Sequence, residues 1–175
     1  MKIIVDGKEI NAVYGETLLK TARRAGIYIP TLCYHEALKE QGRCRLCVVE
    51  VCEGSRKSVV AACTFPVRGE IEVKTSTPLV DKIRRNIIML LYKRASGSPV
   101  MQKLYREYGC SQNSLKENPG ERCILCNICV LACEEIGCSA ISLIMRGTDK
   151  RVATPYDEAA PSCIGCGACA RVCPA

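Results

Sequence analysis

Cys123-Ile124-Leu125-Cys126-Asn127-Ile128-Cys129-Val130-Leu131-Ala132-Cys133 and Cys163-Ile164-Gly165-Cys166-Gly167-Ala168-Cys169-Ala170-Arg171-Val172-Cys173 share one spacing, C-x2-C-x2-C-x3-C. A single copy could arise in several kinds of metal site. Two copies 29 residues apart, the second followed by Pro174, specify a module for two 4Fe-4S cubanes. The spacing has a physical reason: three cysteines in a tight loop wrap one corner of a cubane, and the next turn points the fourth toward a neighbouring cluster. The expected ligands are Cys123, Cys126, Cys129 and Cys173 for one cubane, and Cys163, Cys166, Cys169 and Cys133 for the other. Gly165 and Gly167 are expected to let backbone N–H groups approach the sulfurs of the second cluster, where hydrogen bonds tune its potential.

Zinc competes for such thiolates, but zinc sites usually set two C-x2-C pairs far apart instead of running three cysteines in succession. A disulfide framework is the other use of the 15 cysteines in these 175 residues. The start, Met1-Lys2-Ile3-Ile4-Val5-Asp6-Gly7, has no long apolar run with a small-residue cleavage site. The longest apolar run, 87–92, is too short to cross a bilayer. The chain therefore reads as cytoplasmic, where thiols stay reduced and serve as metal ligands. One Phe and no Trp leave little aromatic packing, so metal staples suit a core of this size. The formal charge of +7 points toward nucleic acid until the clusters are counted. Three clusters of roughly −2 each bring the chain near neutrality, and the basic residues become counter-charge and solvated faces.

Upstream, residues 1–75 read as a small β-rich domain. Segments 2–5 and 8–12 flank Asp6-Gly7, a pair suited to a tight hairpin turn. Leu18, Leu19, Ala22 and Ala25 recur at helical spacing over 16–25, and Gly26 stands where a left-handed cap would close the helix. Short β-branched runs at 48–51, 59–63 and 71–73 complete a β-grasp pattern. A second kind of site lies here: Cys33, Cys44, Cys47 and Cys63, spaced C-x10-C-x2-C-x15-C, suit a 2Fe-2S cluster in which each iron takes two thiolates. By counting alone, Cys52 competes with Cys63 for the fourth place.

Between the two units, Thr77-Pro78 predicts an N-cap followed by a first-turn proline. Leu79, Ile83, Ile87, Leu90 and Leu91 then form an apolar stripe, with Lys82, Arg84, Arg85, Lys93 and Arg94 expected largely elsewhere. Residues 96–99 break this helix, 100–108 predict a shorter one, and 111–120 read as polar loop. The segment 76–120 is thus expected as a helical linker before a third unit, 121–175. Within that unit, 140–146 reads as a strand.

Pro30-Thr31-Leu32-Cys33-Tyr34-His35, Gly42-Arg43-Cys44-Arg45-Leu46-Cys47-Val48-Val49-Glu50-Val51 and Ala62-Cys63-Thr64-Phe65-Pro66-Val67 resemble a 2Fe-2S domain shared by three groups. These are the large iron-sulfur subunit of respiratory complex I, the iron-only hydrogenases and NAD-linked formate dehydrogenases. Cys123-Ile124-Leu125-Cys126 and Cys163-Ile164-Gly165-Cys166 resemble their two-cubane domain. The resemblance covers most of the chain and favours Cys63 over Cys52. It implies an α+β chain: an N-terminal β-grasp 2Fe-2S ferredoxin-like domain, a helical linker and a C-terminal bacterial-type two 4Fe-4S ferredoxin domain, with Glu134 where that last pattern commonly has Pro.

The resemblance further implies an electron-transfer subunit that relays single electrons within a multisubunit NAD(P)H- and ferredoxin-linked flavoprotein oxidoreductase. Flavin and NAD(P) are expected on partner subunits, with a complex I-like flavoprotein at one end and ferredoxin or another flavoprotein at the other. The design is also similar to the small iron-sulfur subunit of Sporomusa-type electron-bifurcating transhydrogenases. The alternatives are the electron-input subunit of a hydrogenase or formate dehydrogenase and, from a different class, an iron-sulfur redox sensor. Many relatives carry an extra cubane bound by one His and three Cys between the two cluster domains. Residues 76–122 hold no His and only Cys110, so that cluster is not expected. No nucleophile-base constellation is present, and a catalytic domain beyond Cys173 is likewise not expected. His35, the one histidine, is expected to hydrogen-bond or face solvent. Cys52, Cys110 and Cys138 are left over and expected as buried free thiols.

Overall fold

The computed structural model describes residues 1–111 and 115–175, so part of the polar loop expected at 111–120 lies outside the described residues. Strands β1 (Lys2–Val5) and β2 (Lys8–Asn11) form the expected hairpin, with Asp6 and Gly7 both at positive φ. Asp6 also accepts hydrogen bonds from Thr75 N (2.8 Å) and Thr75 Oγ1 (2.6 Å), which ties the turn to the far end of the domain. Helix α1 (Leu18–Arg24) is shorter than its periodicity predicts. Thr17 is its N-cap, and Glu16 stays outside the helix to accept from Arg24 and Thr21. Gly26, at φ 73, ends it as expected.

Strands β3 (Val48–Glu53), β4 (Arg56–Ala61) and β5 (Glu72–Lys74) complete one sheet of order β2-β1-β5-β3-β4. The β1–β5 pair is parallel and the other three are antiparallel. Leu18, Leu19 and Ala22 of α1 are buried in one cluster with Ile3, Val5, Val49, Val51 and Val73, so the sheet grips the helix as a β-grasp requires. Each of the Leu, Ile and Val side chains contributes about 1.5–3 kcal/mol by leaving water. The strand expected at 59–63 starts earlier and stops at Ala61, because Thr64 N and Phe65 N both turn back onto Ala61 O and leave Cys63 in a turn.

Helix α2 (Pro78–Arg94) starts where predicted, with Thr77 Oγ1 accepting from Val80 N at 3.2 Å. Its buried face is shifted from the predicted one: Ile83, Ile87 and Leu91 of the predicted stripe are half-buried. Val80, Arg84, Ile88 and Lys93 are buried, while Leu79 and Leu90 are 51% and 56% exposed. Hydrophobic periodicity misplaces this face because two cations on it have found acceptors: Arg84 on backbone carbonyls and Lys93 on Glu117. Helix α3 (Pro99–Glu107) follows, capped by Ser98 Oγ, which accepts from Met101 N.

Residues 76–111, expected as a helical linker, are helical and packed against both neighbouring units. Ile88, Ala95 and Met101 are buried in a second cluster that also contains Leu32, Cys33 and Leu46 from the N-terminal unit and Ile124, Cys126 and Ile128 from the C-terminal one. The last unit has helix α4 (Ile128–Glu135), a hairpin of β6 (Ser142–Ile144) and β7 (Arg151–Ala153), and helix α5 (Ala168–Arg171). Strand β6 is the core of the strand expected at 140–146. Among the described residues, no helix is long and apolar enough to cross a membrane.

Candidate metal centres

The register of the β3–β4 hairpin positions half of the first cysteine set. Val48 pairs with Ala61, so Cys47, just before β3, and Cys63, just after β4, emerge at the same end of the sheet. Their thiols interact with each other, which lowers Cys47 and raises Cys63 from the ordinary thiol range. Cys33 and Cys44 form the other pair on the intervening loop. Cys44 N donates to Cys33 Sγ at 3.2 Å, and the Cys33 thiol hydrogen-bonds to Cys44, raising Cys33 and holding Cys44 down to about 6. Backbone N–H groups of Leu46, Leu32 and Cys33 favour the Cys44 thiolate further. Cys63 also feels the charges of Cys33 and Cys44, so all four groups share one electrostatic site.

Two left-handed residues shape this loop, Gly42 (φ 62) and Arg45 (φ 60). Gly42 is doubly constrained, since a Cβ there would lie 3.1 Å from Thr64 Cγ2. Cys47 and Cys63 belong to the core under the sheet, and Cys33 to the core shared with α2, so the set sits on the seam between the two. Cys52 is elsewhere. It lies on β3 opposite Lys57 and lines a surface depression with Lys2, Ile4 and Glu72. His35 is exposed and accepts from Ala37 N through Nδ1.

The second set gathers Cys123, Cys126, Cys129 and Cys173. Burial pushes the Cys126 thiol up to about 11, with Cys129, Cys173 and Cys123 adding to the rise. Burial likewise raises Cys129, with contributions from Cys123 and Cys173. Thus Cys173, 44 residues beyond Cys129, comes back to the first loop. Cys123 Sγ accepts from Leu125 N at 3.4 Å.

The third set surrounds a cavity of about 270 Å³ whose wall includes Cys133, Cys163, Cys166 and Cys169, with Ile136 and Ile164 at the same site. Cys133 Sγ accepts from Ala140 N at 3.2 Å. Cys138 lines this cavity too, and Cys52, Cys110 and Cys138 are all only half-buried, which corrects the expectation of three buried thiols. Cys163, Cys166 and Cys173 are exposed.

The two repeated loops have matching backbones. Leu125 (φ 55) corresponds to Gly165 (φ 68), and Asn127 (φ 70) to Gly167 (φ 71). A Cβ at Gly165 or Gly167 would meet no protein atom within 4 Å, and both glycines supply the left-handed torsion. At Leu125 the same torsion is held by a bulky residue at a cost. Closely similar φ values in unlike sequences mean that both loops are bent to one shape.

The first two sets are neighbours. Cys44 and Cys126 line one cavity of about 240 Å³ with Ile87, Leu90, Leu91 and Ile124. Helix α2 bridges the loops that carry them. Arg84 donates to Leu46 O (3.2 Å) and Val48 O (2.7 Å). Arg94 donates to Cys123 O (3.3 Å) and Lys150 O (2.6 Å). Ten residues, about 15 Å of helix axis, separate these two anchors. Among the described residues, no three His, Cys, Asp or Glu side chains are arranged to hold a single metal ion. The cysteines stand in pairs or around open volumes.

The donor sets fit iron-sulfur clusters in chemistry and number. Two thiol pairs match the two irons of a 2Fe-2S centre, each of which takes two thiolates. The other sets offer four thiols apiece.

Sequence and structure comparisons point the same way. Residues 1–78 match the family of the 2Fe-2S iron-sulfur cluster binding domain. The 75 kDa subunit of NADH-ubiquinone oxidoreductase from Reclinomonas americana is 34% identical over 88% of this chain and 26% of its own length. The alpha subunit of NADPH-Fe(3+) oxidoreductase from Geobacter sulfurreducens is 32% identical over 99% of this chain and 23% of its own length. The chain therefore spans about a quarter of the length of these curated relatives. In a crystal structure of an NAD+-reducing NiFe-hydrogenase in the H2-reduced state, one chain superposes with a TM-score of 0.83 at 26% identity, covering 99% of this chain and 84% of that one.

Proposed function

We propose that this chain, whose residues 1–78 match the 2Fe-2S iron-sulfur cluster binding domain family and which resembles the complex I large iron-sulfur subunit family, is an electron-transfer subunit of an NAD(P)H-linked oxidoreductase complex. Cys33 and Cys44 would hold one iron of the 2Fe-2S centre, and Cys47 and Cys63 the other, as their pairing favours. Cys123, Cys126, Cys129 and Cys173 would hold one 4Fe-4S cluster. Cys163, Cys166, Cys169 and Cys133 would hold a second. Bound there, the clusters supply one-electron carriers at fixed positions.

The chain's own residues hold and insulate these positions. Leu32, Leu46, Ile88 and Ile124 are buried in one apolar cluster at the seam between the first two sets, and Arg84 and Arg94 fix α2 to both loops. The observation that carries the reading is that Cys44 and Cys126 line one cavity, because a relay needs adjacent sites. Crossing of Cys133 and Cys173 between the two C-terminal loops would make the third site adjacent to the second, giving the order 2Fe-2S, first 4Fe-4S, second 4Fe-4S. Exposure of the Cys163–Cys166 loop, with Ile164 70% exposed, suits the last site to contact with a partner. Flavin and nucleotide would sit on partner subunits.

Affinity purification of the native complex tests this reading. We expect a flavoprotein subunit to co-purify and NADH or NADPH to develop the cluster signals in electron paramagnetic resonance. A chain that purifies alone, and whose clusters neither nucleotide reduces in cell extract, would reject it. The match to 84% of a chain in an NAD+-reducing hydrogenase favours one second reading, the same wiring serving a hydrogenase. A co-purifying nickel or hydrogen-activating iron subunit would identify that case.

A further inference from the structure

We propose that Arg84 sets the reduction potential of the 2Fe-2S centre, as a buried cation whose counter-charge is the cluster itself. The inference rests on the 2Fe-2S assignment and concerns a residue that binds no iron. Arg84 is 5% exposed. Its Nε and Nη2 donate to Leu46 O and Val48 O, the carbonyls on either side of Cys47, and this leaves part of the guanidinium's donor fork unused.

A buried guanidinium normally has a carboxylate, because an uncompensated charge in an apolar core is expensive. The chain's other buried cation follows that rule, with Lys93 Nζ 2.7 Å from Glu117. Among the described residues, Arg84 has no ion-pair partner. Asp81 and Glu50 keep their charge but direct their oxygens to the hydroxyls of Ser76 and Thr77, and neither pairs with the guanidinium. What Arg84 does hold are the two carbonyls flanking Cys47, which sets the guanidinium beside one corner of the four-thiolate site. By formal charges a 2Fe-2S centre there is about −2 when oxidised and about −3 after gaining one electron. A fixed cation in a weakly screened core stabilises the more negative form more strongly, so Arg84 raises the potential.

The test is a titration of the 2Fe-2S signal by electron paramagnetic resonance in Arg84→Gln, Arg84→Lys and Arg85→Gln, all in the whole complex. Arg85 is the control, an exposed cation one residue away whose Nε bonds Tyr108 O. Arg84→Gln should make reduction harder by at least about tenfold in equilibrium constant, about 59 mV for one electron. Arg85→Gln should leave it within about twofold. A loaded Arg84→Gln cluster with an unchanged potential would overturn the proposal. If that variant fails to load, Arg84→Lys decides, since it keeps the charge while giving up the two-carbonyl fork. A Lys variant near the wild-type potential supports the proposal; a tenfold loss there means that Arg84 only shapes the loop, and overturns it. Absence of a 2Fe-2S signal in the wild-type complex would instead reject the underlying assignment.

Discussion

Gln41 accepts a hydrogen bond of 2.8 Å from Asn127 Nδ2, and its own Nε2 reaches Cys126 O at 3.4 Å, so one side chain ties the Cys33–Cys47 loop to the Cys123–Cys129 loop. Asn127 sits at φ 70, and Gln41 therefore buttresses a left-handed residue between two proposed ligands. Gln41→Leu should remove both contacts and cost about 1–2 kcal/mol, because the half-buried amide of Asn127 is left unpaired. Bleaching of cluster absorbance by an iron chelator should be faster in the variant. An unchanged rate would mean that the link does not hold the loops together.

Gly97 should tolerate no side chain. A Cβ there would lie 2.4 Å from Pro119 O and 2.9 Å from Glu121 O, and the backbone cannot retreat without breaking the bond from Gly97 N to Glu121 O. Gly97→Ala should destabilise by about 2–4 kcal/mol, as steric clashes with backbone do. Gly69→Ala is the matched control, since a Cβ there meets nothing within 4 Å. Thermal melts should drop sharply for the first and little for the second.

Cysteine substitutions separate the two candidates for the fourth ligand of the N-terminal set. Cys63→Ala should abolish the 2Fe-2S signal in electron paramagnetic resonance, whereas Cys52→Ala should retain it with full intensity. The reverse result would assign the ligand to β3, on a strand whose Cys52 shares no site with Cys33, Cys44 and Cys47.

Acid should weaken the hold of α1 on the sheet edge. The Arg24 guanidinium beside Glu16 holds its carboxyl below the ordinary carboxylate range, and Thr21 assists. A carboxylate lowered in this way stabilises the fold fully above its unfolded value near 4.5 and loses that contribution as pH falls through the lower, folded value. Both partners are partly solvated, so the effect is at most about 1 kcal/mol. Urea melts of wild type and Glu16→Gln should differ at pH 7 and converge toward pH 3. A constant difference across that range would contradict the pairing.

Much of this was legible because ligand spacing and turn chemistry are local. Asp6-Gly7, Thr77-Pro78 and Gly26 act within a few residues, and the structure has the hairpin, cap and helix end they predict. The buried face of α2 was legible only in part, through Ile83, Ile87 and Leu91. Arg84 and Lys93 look like solvent residues until the carbonyls of Leu46 and Val48 and the carboxylate of Glu117, all distant in sequence, come beside them. The segment expected as a helical linker is helical, and what its helices pack on emerges only in the structure, where Ile88 and Met101 meet Leu46 and Ile124. The matched torsions of Leu125 and Gly165 were also hidden, because leucine carries no propensity for a left-handed turn.

Iron and acid-labile sulfide per chain, measured with stepwise reduction under electron paramagnetic resonance, test the central claim most directly. Three centres predict about ten irons, with one 2Fe-2S and two 4Fe-4S signals. About two irons, or about six, would contradict the account by leaving one or both C-terminal cysteine sets without a cluster.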